Sequence, residues 1–383
     1  MRRRSWKATI SNVVALLGLL SAFAASIGLV ARRRPTVVVA VGGYASVAPS
    51  IAAALLGVPV IVVNVDAVPG AANRLIAVFA RASAVAYPQT ALRRSVVTGA
   101  PVRPEVAAVA GARDTLDART RARRRLGVPE DATVVVAFGG SLGARRLNEA
   151  VLGLAHRWSE RADVALYHVV GTRNADDMAR AASDMSVPVS SVASGSERSE
   201  RRPQSQGGDD GGRCEESRRS EDRHEDRHEG RHLVYVQVPF CDHMELVYAA
   251  ADVAVCRAGA NTVAELTATG TPAVLVPLPG APGDHQSANA SVLARSGGAV
   301  VIEDPALDEE SLSGELESLL ADPERLERMS AGARGIGRPD AAAEIAALAV
   351  RHARGSLRSG GSRRGRRARD GRRGRQAGEP VPE

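Results

Sequence analysis

The chain has 383 residues, 44% hydrophobic but only 3% aromatic, so it is long enough for two domains and must build its cores from Ala, Val and Leu, as alternating α/β proteins do. Its net charge of +7 is concentrated at one end: residues 354–383 hold ten Arg against one Asp and two Glu, which leaves the rest near neutral and removes the case for a general nucleic-acid binder. Cys214, Cys241 and Cys256 show neither metal-ligand spacing nor even pairing, which excludes a disulfide framework and suits a reducing compartment.

Residues 8–31 are apolar with scattered Ser, Thr and Asn; Arg2, Arg3, Arg4 and Lys7 precede them and Arg32, Arg33 and Arg34 follow. That length suits a transmembrane helix, and the basic start suits a signal peptide. The bland Ala/Ser/Gly composition and a strand starting directly after Pro35 favour a third reading, a helix packed on a sheet or lying against a membrane face.

From Thr36 a regular alternation begins. Val37–Val41 reads as a strand ending in Gly42-Gly43, Val47–Leu56 as a helix, Pro59–Val63 as a strand, Ala72–Ala80 as a helix and Ala84–Ala86 as a strand. Continuous β-branched runs separated by helices predict a parallel, doubly wound sheet. Val96–Arg103 reads as the exit toward a second domain.

The second unit opens with a basic helix over Leu116–Leu126, and Thr133–Arg145 then reads as strand, glycine loop, helix. Small residues there let backbone approach a phosphate, and Ser141 carries a hydroxyl to donate. A strand over Val164–Val170 and a helix over Asn174–Ser183 follow. Residues 189–232 break the pattern. Ser, Arg, Glu, Asp, Gly and His leave too little apolar surface to offset ordering entropy, so a disordered insertion is predicted. Its His224, His228 and His232 would share a face on a helix; a solvated segment without metal is the preferred reading.

The alternation resumes with a strand over Leu233–Val236, the loop Pro239-Phe240-Cys241-Asp242 and a helix over Met244–Ala250. Val253–Glu265 is a short buried strand, a turn at Gly259 and a helix start. Such a helix points unpaired backbone N–H groups beyond the strand, where an anion and above all a diphosphate fits, and Glu265 is close enough to reach a hydroxyl pair. A strand over Pro272–Pro277, the loop Gly280–Asn289 and helices near Asp284–Arg295, Glu309–Leu320 and Asp340–His352 complete the fold. The Arg/Gly/Ser tail suits an anionic surface, with no specific nucleic acid expected. Neither Gly42-Gly43 nor Gly139-Gly140 completes a G-x-G-x-x-G pattern, which argues against a dinucleotide oxidoreductase.

Together these blocks resemble the MurG family, the UDP-N-acetylglucosamine transferases that complete the lipid-linked peptidoglycan precursor. VVVAVGGYASVAPSIAAALLGVPV, DAVPGAANRL, GAPVRPEV, VVVAFGGSLGARRLNEAV and YAAADVAVCRAGANTVAELTATGTPAVLVPLPGAPGDHQSANA stand in the family's order across residues 35–345, apart from the insertion. The resemblance implies two Rossmann-like α/β domains of the GT-B type: an acceptor-side domain over 35–103 behind a basic/apolar helix over 1–34, and a UDP-sugar domain over 104–345, followed by a disordered tail over 353–383. It implies inverting transfer of N-acetylglucosamine from UDP-N-acetylglucosamine to undecaprenyl-diphosphate-linked N-acetylmuramyl pentapeptide, at the cytoplasmic side of the cell membrane. By motif, Arg103 and Ser141 would contact the donor diphosphate, and a backbone group at Cys241 would read the uracil. Ala260, Asn261, Thr262, Val263, Ala264 and Glu265 would line sugar and ribose, with Glu265 accepting from the ribose hydroxyls and Gln286 holding the sugar. No Asp-x-Asp metal motif stands in a credible loop and no cofactor is implied, so helix N-termini and Arg would stabilise the leaving diphosphate.

The chain also departs from the family. The family's opening glycine loop with a histidine, GGTGGH, has no match before Gly42, and residues 1–34 correspond only to the helix preceding VVVAVGGY. The N-terminal domain is therefore expected to be incomplete, with an exposed apolar sheet edge. Before AVPG the family carries a Glu and an Asn, and this chain has Asn64 and Asp66. Asp66 is the candidate base and sugar contact. The alternative reading is a non-catalytic or truncated UDP-sugar-binding relative held at a membrane.

Overall fold

The computed structural model describes residues 6–111, 115–139, 144–190, 232–280 and 282–353. Ser141, His224, His228, Cys214 and the Arg-rich tail lie outside them.

The first half runs α1 (Trp6–Arg33), β1 (Val38–Ala40), α2 (Val47–Leu55), β2 (Val60–Asn64), α3 (Ala71–Ala77), β3 (Ala82–Val85) and β4 (Ser95–Val97). The strands pair in parallel in the order β1-β2-β3-β4. Every residue of β2 is buried, as a strand covered on both faces must be. Val96 and Val97, read as the start of a domain exit, belong to the strand Ser95–Val97; three residues are too few to show a period. β1 forms one edge, where Val39 and Val41 are 40% and 73% exposed, so the expected apolar edge is present. The C-terminal half of α1 packs along α2 and buries Val30 with Ala40, Ala52 and Val60. Among the described residues no helix is long and apolar enough to cross a membrane.

The second half runs α4 (Pro104–Ala110), α5 (Leu116–Leu126), β5 (Thr133–Phe138), α6 (Arg145–Arg157), β6 (Val164–Val169), α7 (Ala175–Asp184), β7 (Val189–Ser190), β8 (Val234–Val238), α8 (Met244–Ala250), β9 (Val253–Cys256), α9 (Ala260–Thr269), β10 (Ala273–Leu275), α10 (His285–Arg295), β11 (Ala299–Val301), α11 (Glu309–Leu320), α12 (Pro323–Ile336) and α13 (Ala341–His352). Its seven strands are parallel in the order β11-β10-β9-β5-β6-β8-β7. Along β5, Val134 and Val136 enter one apolar layer while Val135 and Ala137 enter the other, so the sheet is doubly wound. One correction concerns the insertion. Its first two residues, Val189 and Ser190, pair with Tyr235 and Val236 and close the sheet edge as β7, because extended backbone beside β8 gains ladder hydrogen bonds that two residues in water lack.

The last helix does not stay with the second sheet. α13 returns to the first, where Leu348 and Ile345 pack with Ile61, Val63, Ala82 and Ala84. This covers the face opposite α1 and α2 and accounts for the burial of β2 on both sides.

Candidate active site

The C-terminal ends of β5, β6, β8 and β9 open on one cavity of about 320 Å³. Ligands of open parallel sheets bind there because the loops and helix N-termini converge at those ends. The cavity wall includes Arg103, Phe138, Gly139, Arg173, Asn174, Cys241, Tyr248, Thr262 and Glu265. Its charges are two guanidiniums and one carboxylate, a balance suited to a diphosphate with neighbouring hydroxyls.

Glu265 is the centre of the site. It is 6% exposed although charged, so it needs partners. Arg103 Nε donates to its Oε1 at 2.8 Å and Nη2 to its Oε2 at 3.0 Å, and the Tyr248 hydroxyl donates to Oε2 at 2.9 Å. The hydrogen bond to Glu265 raises the Arg103 guanidinium further above its ordinary value. Burial, then the Glu265 charge, pushes the Tyr248 phenol well above its own. Tyr248 is held edge-on to Phe138, with ring centroids 5.9 Å apart. Two residues expected to serve separate parts of a donor, Arg103 and Glu265, are thus already in contact.

α9 supplies the helix N-terminus anticipated from the sequence. Gly259 precedes it in an extended conformation, and no acidic side chain occupies its first turn. Thr262 and Glu265, three apart, face the cavity, whereas Val263 and Ala264 are buried in the apolar core. Asn261 is exposed and Ala260 half-buried. Beneath the turn, Arg257 is tied to Asp304 at 2.5 Å and donates to the Val276 and Pro277 carbonyls, fixing the exits of β9 and β10 together.

The opposite wall is held from below. Asn148 on α6 and Asn174 both donate to the Val170 carbonyl, at 2.8 and 3.2 Å. Asn148 Oδ1 accepts from His168 Nε2 at 3.1 Å, which leaves Nδ1 to accept from the Tyr235 hydroxyl at 2.9 Å. His168 is fully buried, and burial lowers its pKa to about 3, so it is a neutral strut. Cys241 lines the mouth beside exposed Phe240, with its thiol pushed up by burial and its Sγ 3.8 Å from the Tyr167 hydroxyl.

Asp66 and Gln286 lie outside this cavity wall. Gln286 opens α10, and its Oε1 accepts from the Leu278 N–H at 2.9 Å. Asp66 follows β2; its Oδ1 accepts from Asn289 Nδ2 at 3.0 Å, and buried Tyr87 feels its charge. Tyr248 and Asn289 were not singled out from sequence. The available signals were helical spacing, since Asn289 is one turn after Gln286, and a phenol in the helix just before the donor strand.

Two parallel sheets, each covered by helices on both faces, with a charged cavity at the strand ends of the second, define a glycosyltransferase fold of the GT-B type. The chain matches the glycosyltransferase family 28 N-terminal domain over residues 3–85 and the family 28 C-terminal domain over residues 213–345. The UDP-N-acetylglucosamine–N-acetylmuramyl-(pentapeptide) pyrophosphoryl-undecaprenol N-acetylglucosamine transferase of Desulforudis audaxviator is 32% identical over 336 residues, covering 86% of this chain and 77% of that protein. The protein of the same name from Mycobacterium tuberculosis is 36% identical over 328 residues, covering 84% and 67%. The crystal structure of Acinetobacter baumannii MurG shares the fold with a TM-score of 0.62 at 24% identity, covering 88% of this chain and 79% of that one. A Neisseria meningitidis UDP-GlcNAc 2-epimerase bound to UDP-GlcNAc shares it with a TM-score of 0.53 at 11% identity, covering 86% and 80%. The chain belongs to glycosyltransferase family 28 and, within it, to the MurG family.

Proposed function

We propose that this chain is an inverting hexosyltransferase that moves N-acetylglucosamine from UDP-N-acetylglucosamine to undecaprenyl-diphosphate-linked N-acetylmuramyl pentapeptide. The observation that carries the reading is the Arg103–Glu265 pair under the N-terminus of α9, a carboxylate for ribose hydroxyls beside donors for a diphosphate. Asp66 takes the proton of the acceptor hydroxyl, that oxygen bonds to the anomeric carbon from the face opposite the leaving group, and the bond to the UDP oxygen breaks. The negative charge left on UDP is met by the free N–H groups of α9 and by Arg103. Glu265 can accept the ribose hydroxyls only after Arg103 shares or releases it, so Arg103 moves from carboxylate to diphosphate as the donor enters. The Gln286 amide, its oxygen engaged by Leu278, offers its N–H groups to the sugar.

The lipid tail of the acceptor calls for a membrane surface. Leu20 and Leu29 on α1, Leu55 on α2, Leu56 just after it, Leu75 on α3 and Val78 are exposed, and Arg32, Arg33, Arg34, Arg74 and Arg81 lie in the same elements or beside them. Exposed apolar side chains with arginines in the same or neighbouring elements suit the headgroup region of an anionic bilayer, which would make the chain a peripheral membrane protein on the cytoplasmic side. The test is transfer itself: purified chain, labelled UDP-N-acetylglucosamine and lipid-linked acceptor in detergent, with the product anomer read by NMR. The expected result is an inverted glycosidic bond with one UDP released per bond formed. Tight UDP-sugar binding without transfer replaces this reading with the non-catalytic one.

A further inference from the structure

The structure assigns to Asn289 the role of a positioning residue that joins the donor turn to the loop carrying the candidate base. Asn289 is fully buried on α10, in the second half of the chain. Its Oδ1 accepts from the Ala67 N–H at 2.8 Å, and its Nδ2 donates to Asp66 Oδ1 at 3.0 Å and to the Ala258 carbonyl at 3.2 Å. Ala67 and Asp66 follow β2 of the first sheet, while Ala258 lies in the turn between β9 and α9. One amide therefore uses an acceptor and both donors to hold three backbone or side-chain groups from two domains.

The base loop has its own anchor on the other side. Asn73 Nδ2 donates to Asn64 Oδ1 at 2.9 Å, and Asn64 Nδ2 donates to the Asp66 carbonyl at 2.6 Å. Asn64 and Asn73 are 2% and 7% exposed, Asn289 and Ala258 are buried and Asp66 is half-buried, so the chain Asn73–Asn64–Asp66–Asn289–Ala258 is a polar connection, buried at both ends, from one sheet to the donor turn. Gln286, the expected sugar contact, sits three residues before Asn289 and so lies on an adjacent position of the same helix. Ordering of the donor turn is transmitted through the Ala258 carbonyl to Asn289, and from there to the orientation of the Asp66 carboxylate. Only an asparagine fits: aspartate keeps the acceptor but sets a second carboxylate against Asp66, and glutamine is one methylene too long for three short contacts.

The contact stands on geometry alone; what it positions rests on the transferase reading, and the test separates the two. Amide exchange of the loop over residues 64–68 is followed in the full chain with and without UDP, alongside UDP affinity by calorimetry and transfer kinetics. In the unaltered chain UDP slows exchange of this loop severalfold. In N289D the slowing is lost and turnover falls at least tenfold, while UDP affinity stays within threefold. In D66N/N289D the bond between positions 66 and 289 returns with donor and acceptor exchanged, but the carboxylate now at position 289 has no N–H for the Ala258 carbonyl, so the UDP-dependent slowing stays lost. Exchange that ignores UDP in the unaltered chain, slowing that survives in N289D, or donor affinity that falls in step with turnover overturns the proposal. Slowing that returns in D66N/N289D, where nothing at position 289 can donate to Ala258, overturns the link to the donor turn as well. The exchange readout needs no turnover, and N289A, which adds no charge, replaces N289D if that chain fails to fold; its slowing is expected to be lost as well.

Discussion

Arg103 and Glu265 form a two-point ion pair, 2.8 and 3.0 Å, although 162 residues separate them in the chain. The fork of a guanidinium matches both oxygens of one carboxylate, so the pair sets direction as well as charge. In this contact Glu265 is 8% exposed and Arg103 46%, so the carboxylate is the fixed partner and the guanidinium the movable one.

Glu265→Gln keeps size but halves the accepting capacity and removes the charge. Hydrogen bonds to a charged group contribute about 1.5–3 kcal/mol, so UDP-N-acetylglucosamine affinity is expected to fall roughly tenfold to hundredfold. Calorimetric titration reads this directly. An unchanged affinity would remove Glu265 from the donor site.

Tyr248→Phe keeps the edge-on packing against Phe138 and deletes only the hydroxyl that fixes Glu265 Oε2. The expected loss is about 1 kcal/mol in donor binding, roughly fivefold, with thermal stability changed little. A large drop in melting temperature with unchanged UDP affinity would instead make Tyr248 a packing residue.

Leu55→Glu and Leu75→Glu test the membrane face, since these side chains are 68% and 50% exposed and contribute nothing to the core. Burying a leucine in an apolar phase contributes about 1.5–3 kcal/mol, so the double change is expected to weaken co-sedimentation with anionic vesicles by tenfold or more. Vesicle binding that survives it, or that does not respond to salt, contradicts the proposed surface.

His168 gives an acid-sensitive component of stability. The unfolded chain takes up its proton near the ordinary 6.5 and the folded chain only near about 3, because burial disfavours the cation. Between those values the unfolded state binds more protons, so stability falls as pH falls, by up to ~1.4 kcal/mol per pH unit from this group. Urea unfolding at pH 6 and pH 4 is expected to show this component in the unaltered chain and to lack it in His168→Gln. Equal pH slopes in the two proteins contradict the assignment.

Much of this arrangement was legible where a pattern is local. Leu116–Leu126, Met244–Ala250, Val253–Cys256 and Glu309–Leu320 stand where apolar spacing and flanking residues put them. Ser95–Val97, Val189–Ser190 and Ala299–Val301 were not read as strands, because two or three residues acquire strand identity only from a neighbour. Pro323–Ile336 escaped because it starts directly after another helix, with a proline that ends one pattern and also suits the first turn of the next. In the site, Arg103 and Glu265 were visible as motif residues, but their contact was not. Tyr248 and Asn289 have no local signature, since a tyrosine in an apolar helix and an asparagine in a polar one become informative only when a distant carboxylate or amide is placed beside them. Val263 and Ala264 show the converse: they belong to the motif by sequence and to the core by helical phase.

The return of α13 has a consequence for how the protein is made. The first sheet lacks its cover over Ile61, Val63, Ala82 and Ala84 until Leu348 arrives. At about 5–20 residues per second of synthesis, roughly 250 further residues must be added before that helix exists, which is about 10–50 s of waiting. During that interval a nascent chain presents one bare apolar sheet face, so the ribosome-bound protein is a natural client for a chaperone, and cutting the chain after residue 340 would leave every copy in that state.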